Sequence, residues 1–204
     1  MNAGNIFLAL EPVIQAFDAL GIAYQIGGSV ASSAYGIARA TLDVDLVANL
    51  MESQVRPLVD RLSNGYYIDE DRVRDAVARR SSFNLIHLES MLKVDVFVLK
   101  SRPYDQVAFA RARLESLGEG AAIRRHYIAS PEDVILNKLD WYRQGGCLSE
   151  RQWNDVLGIL KVQQSSLDME YIRRWAATLE LTDLLLRALA DSGMNNIVGP
   201  AGDA

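Results

Sequence analysis

Residues 25–50 read QIGGSVASSAYGIARATLDVDLVANL and contain the pattern from which the rest of the chain can be interpreted. The apolar segment before Gly27 and Gly28 predicts a short strand, and the small residues from Ser29 onward predict a helix that packs closely on a sheet. Gly36 predicts the end of that helix. A glycine-rich turn that opens a helix exposes backbone N–H groups, which together with the helix dipole favour phosphate. The segment therefore predicts a phosphate-binding turn.

Two acids, Asp43 and Asp45, follow in the segment LDVDLVA, residues 42–48. The alternation of apolar and other residues predicts a strand with one apolar face. Because side chains alternate along a strand, both carboxylates are expected on its other face. Mg²⁺ prefers oxygen ligands, usually one or two carboxylates together with substrate phosphates. These acids therefore predict a divalent-metal site beside the phosphate-binding turn.

A further acid, Asp95, lies in a second alternating segment, KVDVFV, residues 93–98. In the predicted strand, Lys93, Asp95 and Phe97 share the face opposite the valines. An unpaired buried acid is costly, so Asp95 is expected to have a partner or a role. Two interpretations remain open: it completes a metal-binding triad with Asp43 and Asp45, or it is only an ion-pair partner of Lys93.

The remaining pattern predicts an α/β (α+β) fold with a small mixed sheet flanked by helices and a helical C-terminal part. Helices are expected near residues 5–20, 52–62 and 104–110, a helix or connector at 69–80, and an extended segment near 122–128. A serine followed by Pro131 and two acids predicts the start of a C-terminal helix. We therefore expect an α/β core at residues 1–128 and a helical subdomain at 129–204.

Composition and charge limit the class of protein. The single cysteine, Cys147, excludes an internal disulfide framework. Neither a signal peptide nor an apolar run of about 20 residues is visible, so we expect a cytoplasmic protein without membrane contact. The net charge is −5, yet eleven Lys/Arg and six Asp/Glu lie between Arg72 and Arg125. These basic residues either lie on solvated faces or form a patch for a polyanion such as nucleic acid.

The order of these features resembles the nucleotidyltransferase superfamily named after DNA polymerase beta. Its signature is an apolar residue, G-[GS], a spacer and D-h-[DE]-h, where h is apolar. Here Ile26, Gly27 and Gly28 are followed, after Ser29 and thirteen further residues, by DVDL, residues 43–46. The resemblance implies a third acid on a neighbouring strand, which Asp95 matches. It also implies Mg²⁺ or Mn²⁺ at the three acids and transfer of a nucleoside monophosphate from an NTP.

Within this superfamily the chain resembles the minimal bacterial branch that includes the abortive-infection type IV toxins. The lead-in G-x-x-R-x-T-x-D-x-D matches Gly36, Arg39 and Thr41, and the branch places a lysine and an acid on two C-terminal helices, as Lys138 and Asp155 do. An acid that relatives often carry shortly before the second position is absent, since residues 151–152 are arginine and glutamine. The resemblance implies a nucleotide site that contains the following residues: Gly27, Gly28, Ser29, Arg39, Thr41, Lys138 and Asp155.

The resemblance leaves the acceptor hydroxyl open. It implies an RNA acceptor such as a tRNA 3′ end, a protein, or a small molecule such as an aminoglycoside or lincosamide antibiotic. In the first case the protein is expected to be a toxin with an antitoxin partner. The alternative, from a different class, is a catalytically idle module that binds a nucleotide or a partner.

Overall fold

A computed structural model describes residues 3–41, 43–117 and 123–194. The chain divides into two compact units, one formed by Met1–Ala31 with Arg39–Ser130 and the other by Ser32–Ala38 with Pro131–Ala204. The subdomain predicted at 129–204 ends in residues 195–204, which lie outside the described ranges. The predicted division into two domains at residues 128 and 129 stays a prediction.

The first unit contains a mixed sheet, to which the described residues contribute seven strands in the order β3-β4-β5-β2-β1-β7-β6. Two pairings are parallel, β2 with β5 and β1 with β7, and the others are antiparallel. The strands are β1 (Tyr24–Ile26), β2 (Asp43–Ala48), β3 (Tyr66–Tyr67), β4 (Ser82–His87), β5 (Lys93–Val98), β6 (Arg113–Leu117) and β7 (Arg124–Ile128).

Helices flank the sheet in the first unit and form the second. The described helices are α1 (Ala3–Ala19), α2 (Gly28–Tyr35), α3 (Glu52–Leu62), α4 (Glu70–Arg79), α5 (Pro103–Ala110), α6 (Pro131–Gln144), α7 (Glu150–Gln163), α8 (Met169–Thr178) and α9 (Thr182–Asp191). None of the helices in the described ranges combines the length and the apolar character needed to cross a membrane.

The core of the first unit lies on one face of the sheet. Leu46 of β2 and Val96 of β5 are fully buried, and the other inward side chains that alternate with the acids are buried as well. Helix α1 packs on these two strands and contributes Phe17, also fully buried. Burying a side chain of this size stabilises the fold by about 1.5–3 kcal/mol. The apolar face is thereby fixed inward, and the opposite face of the same strands carries the acids.

The predicted fold class is confirmed: the sheet is mixed, and helices flank it. The segment at 69–80, predicted as a helix or a connector, is α4 with Asp69 as its cap. Strand β6 was not predicted. Its sequence, RLESL, has exposed or half-exposed side chains throughout, so no apolar alternation marks it. Only pairing with β7 defines it.

Helix α6 of the second unit begins at Pro131, where the sequence predicts a helix start. Two acids in the first turn of α6 are buried and each accepts a hydrogen bond within this unit. Asp133 accepts from the Tyr171 hydroxyl at 2.7 Å, and Glu132 accepts from the backbone N–H of Asp168 at 3.2 Å. Acids near a helix N-terminus also interact favourably with the helix dipole. These contacts fix α6 against the start of α8.

Candidate metal and phosphate site

The three predicted acids lie on adjacent strands and on the same face of the sheet. In the parallel pairing of β2 with β5, Asp45 lies opposite Asp95, and Asp43 lies opposite Lys93. Burial alternates along both strands, so that these four side chains occupy the half-exposed face and the valines between them are buried. The structure therefore brings Asp43, Asp45 and Asp95 together across nearly fifty residues of sequence.

Lys93 lies among these acids. Its Nζ is 2.7 Å from the Oδ2 atom of Asp95. The pKa of Lys93 is raised above its ordinary value, chiefly by the hydrogen bond to Asp95. Burial opposes this rise, and the negative charges of Asp95, Asp43 and Asp45 add to it. The negative charges of Asp43, Asp45 and Asp95 therefore all stabilise the protonated form of Lys93. As the side chains stand, no three Asp, Glu, His or Cys residues in the described ranges converge closely enough to enclose an ion.

The glycine turn lies directly against the acid face. Gly28 has a φ of +53°, in the left-handed region, and a Cβ atom added there would lie 1.6 Å from Oδ2 of Asp45. The N–H of Gly27 donates to the backbone carbonyl of Asp45 at 2.8 Å. Only glycine leaves room for this carboxylate, so the predicted phosphate-binding turn and the predicted metal acid are in contact. Carboxylate oxygens beside the N-terminus of a helix fit a hard divalent cation with a phosphate ligand.

Gly28→Ala is expected to displace the Asp45 carboxylate and to abolish Mn²⁺ binding, because the added methyl group overlaps the β, γ and Oδ2 atoms of that side chain. The strained backbone conformation should also lower the free energy of unfolding by about 1–3 kcal/mol. Mn²⁺ titration and thermal unfolding measure the two effects. Gly65→Ala is the matched control, since a methyl group there meets nothing within 4 Å. Equal Mn²⁺ affinity in both variants would contradict the assignment.

Three further predicted residues connect the turn to β2. Arg39 donates to the Ser29 hydroxyl at 2.8 Å. Thr41 Oγ1 donates to Oδ1 of Asp43 at 2.6 Å, which orients that carboxylate. Ser29 and Thr41 are both buried. The loop between α2 and β2 therefore holds one acid in a fixed orientation and links Arg39 to the start of the helix.

Lys138 and Asp155, predicted for the same nucleotide site, belong to the second unit and pair with each other. Lys138 Nζ lies 2.7 Å from Oδ2 of Asp155 and donates to Gln152 at 3.0 Å. Lys138 is 5% exposed and Asp155 8% exposed, so neither is a surface residue. The sequence places Gln152 where members of the branch that the chain resembles often carry an acid. Its hydrogen bond to Lys138 is a contact that sequence reasoning missed.

A second missed residue is Asn84 on β4. The antiparallel pairing of β4 with β5 places it opposite Asp95. Its neighbours Phe83 and Leu85 are buried, and Asn84 itself is exposed. A single polar residue between two apolar ones in a predicted strand was the available signal.

A concavity of about 330 Å³ lies elsewhere in the first unit. Residues of α1 and α3 line it together with Tyr66 and His87, and none of the predicted site residues does so. The acid face is therefore not part of this concavity.

No protein-family model matches the sequence, and no curated protein sequence matches it significantly. The structure is similar to the solution structure of the antibiotic-resistance factor ANT(2'')-Ia, with a TM-score of 0.55 and 17% identity over 92% of this chain and 97% of that one. The crystal structure of ANT(2'')-Ia in complex with adenylyl-2''-tobramycin gives 0.54 and 15%, over 86% and 97% of the two chains. Lincomycin-bound lincosamide adenylyltransferase LnuA gives 0.48 and 14%, over 79% and 98%. At 17% and 15% identity, the similarity to the two ANT(2'')-Ia structures establishes a nucleotidyltransferase-like fold and no more.

Proposed function

We propose that this protein is a Mg²⁺-dependent nucleotidyltransferase that moves a nucleoside monophosphate from an NTP to a hydroxyl group. One observation supports this most directly. Asp45 lies opposite Asp95 on a parallel neighbouring strand, and its carboxylate lies against Gly28 of the turn. Transfer of this kind needs carboxylates for a metal next to donors for phosphate. A fold shared with structures of nucleotidyltransferases agrees with this chemistry but does not identify the substrate.

Asp43, Asp45 and Asp95 would hold Mg²⁺ or Mn²⁺ through carboxylate oxygens. When bound, the metal neutralises negative charge that develops on the phosphate oxygens during transfer. Thr41 keeps Asp43 in its orientation through the 2.6 Å hydrogen bond. The backbone N–H groups at Gly28 and Ser29 would hold the terminal phosphates of the NTP, whereas the N–H of Gly27 already donates to the Asp45 carbonyl. Arg39 at the Ser29 hydroxyl would add positive charge.

In the proposed reaction the acceptor hydroxyl oxygen forms a bond to the α-phosphorus. The bond from that phosphorus to the oxygen bridging to the β-phosphate breaks, and pyrophosphate leaves. Asp95 accepts the proton of the hydroxyl group, for which it must first release Lys93. Lys138 and Asp155 lie in the second unit, and their part in nucleotide binding stays a prediction.

The proposal is tested by calorimetric titration of a non-reactive ATP or GTP analogue with Mg²⁺, followed by incubation with labelled NTPs. We expect analogue binding that requires the metal, and transfer of label in the wild type but not in Asp43→Ala/Asp45→Ala. Metal-independent binding of equal strength in both proteins would overturn the mechanism. Binding without label transfer to any acceptor would favour the idle binding module.

The acceptor is assigned by which fraction takes up the label. Total RNA tests the RNA acceptor, for which the basic residues between Arg72 and Arg125 are the support. Aminoglycosides and lincosamides test the small-molecule acceptor, for which the similarity to ANT(2'')-Ia is the support. A protein lysate tests a protein hydroxyl. If RNA takes up the label, expression should slow bacterial growth, as expected of a toxin held in check by an antitoxin.

A further inference from the structure

We propose that Lys93 is an internal counter-cation of the acid face, which holds Asp95 in the metal-free protein and must leave it before a divalent ion binds there. This inference rests on the proposed metal site. In this inference Lys93 is a positioning residue that sets the affinity of the site for the metal. Neither the sequence motif nor the fold comparison assigns Lys93 to the metal site.

The contacts of Lys93 support this role. Its ammonium group lies 2.7 Å from Oδ2 of Asp95, and the strand register places it opposite Asp43 on β2. The neighbouring strand on the other side, β4, contributes the neutral Asn84 opposite Asp95. Three carboxylates on one face repel each other, and the repulsion is largest when no cation lies between them. Lys93 therefore supplies, at Asp95, positive charge that offsets a repulsion which a bound metal would otherwise relieve.

The exposure of Lys93 makes its displacement possible. Its side chain is 45% exposed, whereas that of Asp95 is 20% exposed. A lysine ammonium group on a flexible four-carbon chain can move into water at little cost. The buried pair of Lys138 with Asp155 lacks this freedom, since both side chains are almost inaccessible. The exposed Lys93 side chain can therefore leave Asp95 when a divalent ion binds, whereas the buried Lys138 cannot leave Asp155 in the same way.

Mn²⁺ binding in the absence of nucleotide tests the role, with free Mn²⁺ measured by electron paramagnetic resonance. We expect Lys93→Met to bind Mn²⁺ about tenfold more tightly than the wild type, because it removes a competing cation from a partly exposed cluster of negative charge. Lys93→Arg keeps the charge and should remain close to the wild type. Lys100→Met, an exposed lysine beyond the end of β5, is the control for the change in net charge and should change affinity less than twofold.

Each outcome of the Mn²⁺ titration either supports or overturns the proposed role of Lys93. Equal Mn²⁺ affinity in the wild type and Lys93→Met overturns the role of Lys93 and leaves the metal site intact. Lower thermal stability with unchanged affinity would show a purely structural ion pair and has the same consequence. If neither the wild type nor any variant binds Mn²⁺, both this inference and the proposed function are wrong. If only Lys93→Met binds Mn²⁺, the inference about Lys93 is supported. If Lys93→Met fails to fold, Lys93→Gln replaces it in the same titration.

Discussion

Asp45→Asn is expected to lower the rate of nucleotidyl transfer by more than about 1,000-fold. Asparagine has nearly the shape of aspartate, so the close contact with Gly28 remains possible. It removes the negative charge that a divalent cation requires. Metal stabilisation of the transferred phosphoryl group amounts to several kcal/mol, and each 1.36 kcal/mol is a factor of about ten in rate. The rate of label transfer from an NTP at saturating Mg²⁺ measures the loss.

The same variant should not lose stability. Asp45 faces Asp95 across the strand pair, and like charges directly opposite each other destabilise a sheet. Replacing one of them by a neutral residue should leave the thermal midpoint unchanged or raise it. Loss of activity with retained or higher stability separates a catalytic role from a structural one.

The control for Asp45→Asn is Asp60→Asn. Asp60 is an exposed acid on α3, where it pairs with Arg56 at 2.9 Å. The chemical change is the same as in Asp45→Asn. We expect the rate of transfer by Asp60→Asn to stay within about twofold of the wild-type rate, because exposed ion pairs contribute little to stability. If Asp45→Asn retained more than a tenth of the wild-type rate, the assignment of this acid to the metal site would be wrong.

Local rules account for the part of the site that could be predicted from sequence. The turn at Gly27 and Gly28, and the alternation around Asp43 and Asp45, follow from the backbone freedom of glycine and from strand geometry. Alternation also fixes the face on which Asp95 lies. It does not fix which strands are neighbours or in what register, and the pairing of Asp45 with Asp95 depends on both.

The residues that sequence reasoning missed depend on packing between elements. Strand β6 exists through its partner β7 and not through its own pattern. Helix α6 is buried on several sides, so that Glu132, Asp133 and Lys138 are buried along with its apolar residues. An amphipathic pattern identifies a single buried face, and it therefore cannot identify buried charges on a helix enclosed by several others. The hydrogen bond from Lys138 to Gln152 depends on how α6 packs against α7, which the pattern of either helix alone does not predict.

Lys138→Met is expected to lower the free energy of unfolding by about 3–5 kcal/mol, because it leaves Asp155 buried without its cation. The pair distance is 2.7 Å and both residues are almost inaccessible, so water cannot replace the ammonium group without disturbing the packing of α6 on α7. Denaturation in urea, followed by tryptophan fluorescence, measures the loss. All three tryptophans of the chain, at positions 141, 153 and 175, belong to the second unit, so the signal reports on the unit that contains the pair.

The double variant Lys138→Met/Asp155→Leu should recover most of this loss, since it removes the unpaired charge and leaves apolar residues of similar size. A surface pair provides the control. Arg79 lies 2.7 Å from Asp75 on the exposed side of α4 in the first unit. Arg79→Met should cost less than about 1 kcal/mol, measured by urea denaturation followed by circular dichroism, which reports on both units. If Lys138→Met cost no more than Arg79→Met, the burial of the pair would have no energetic consequence. If the double variant were as unstable as Lys138→Met, the pair would be required for its hydrogen bonds, including that to Gln152, and not for charge balance alone.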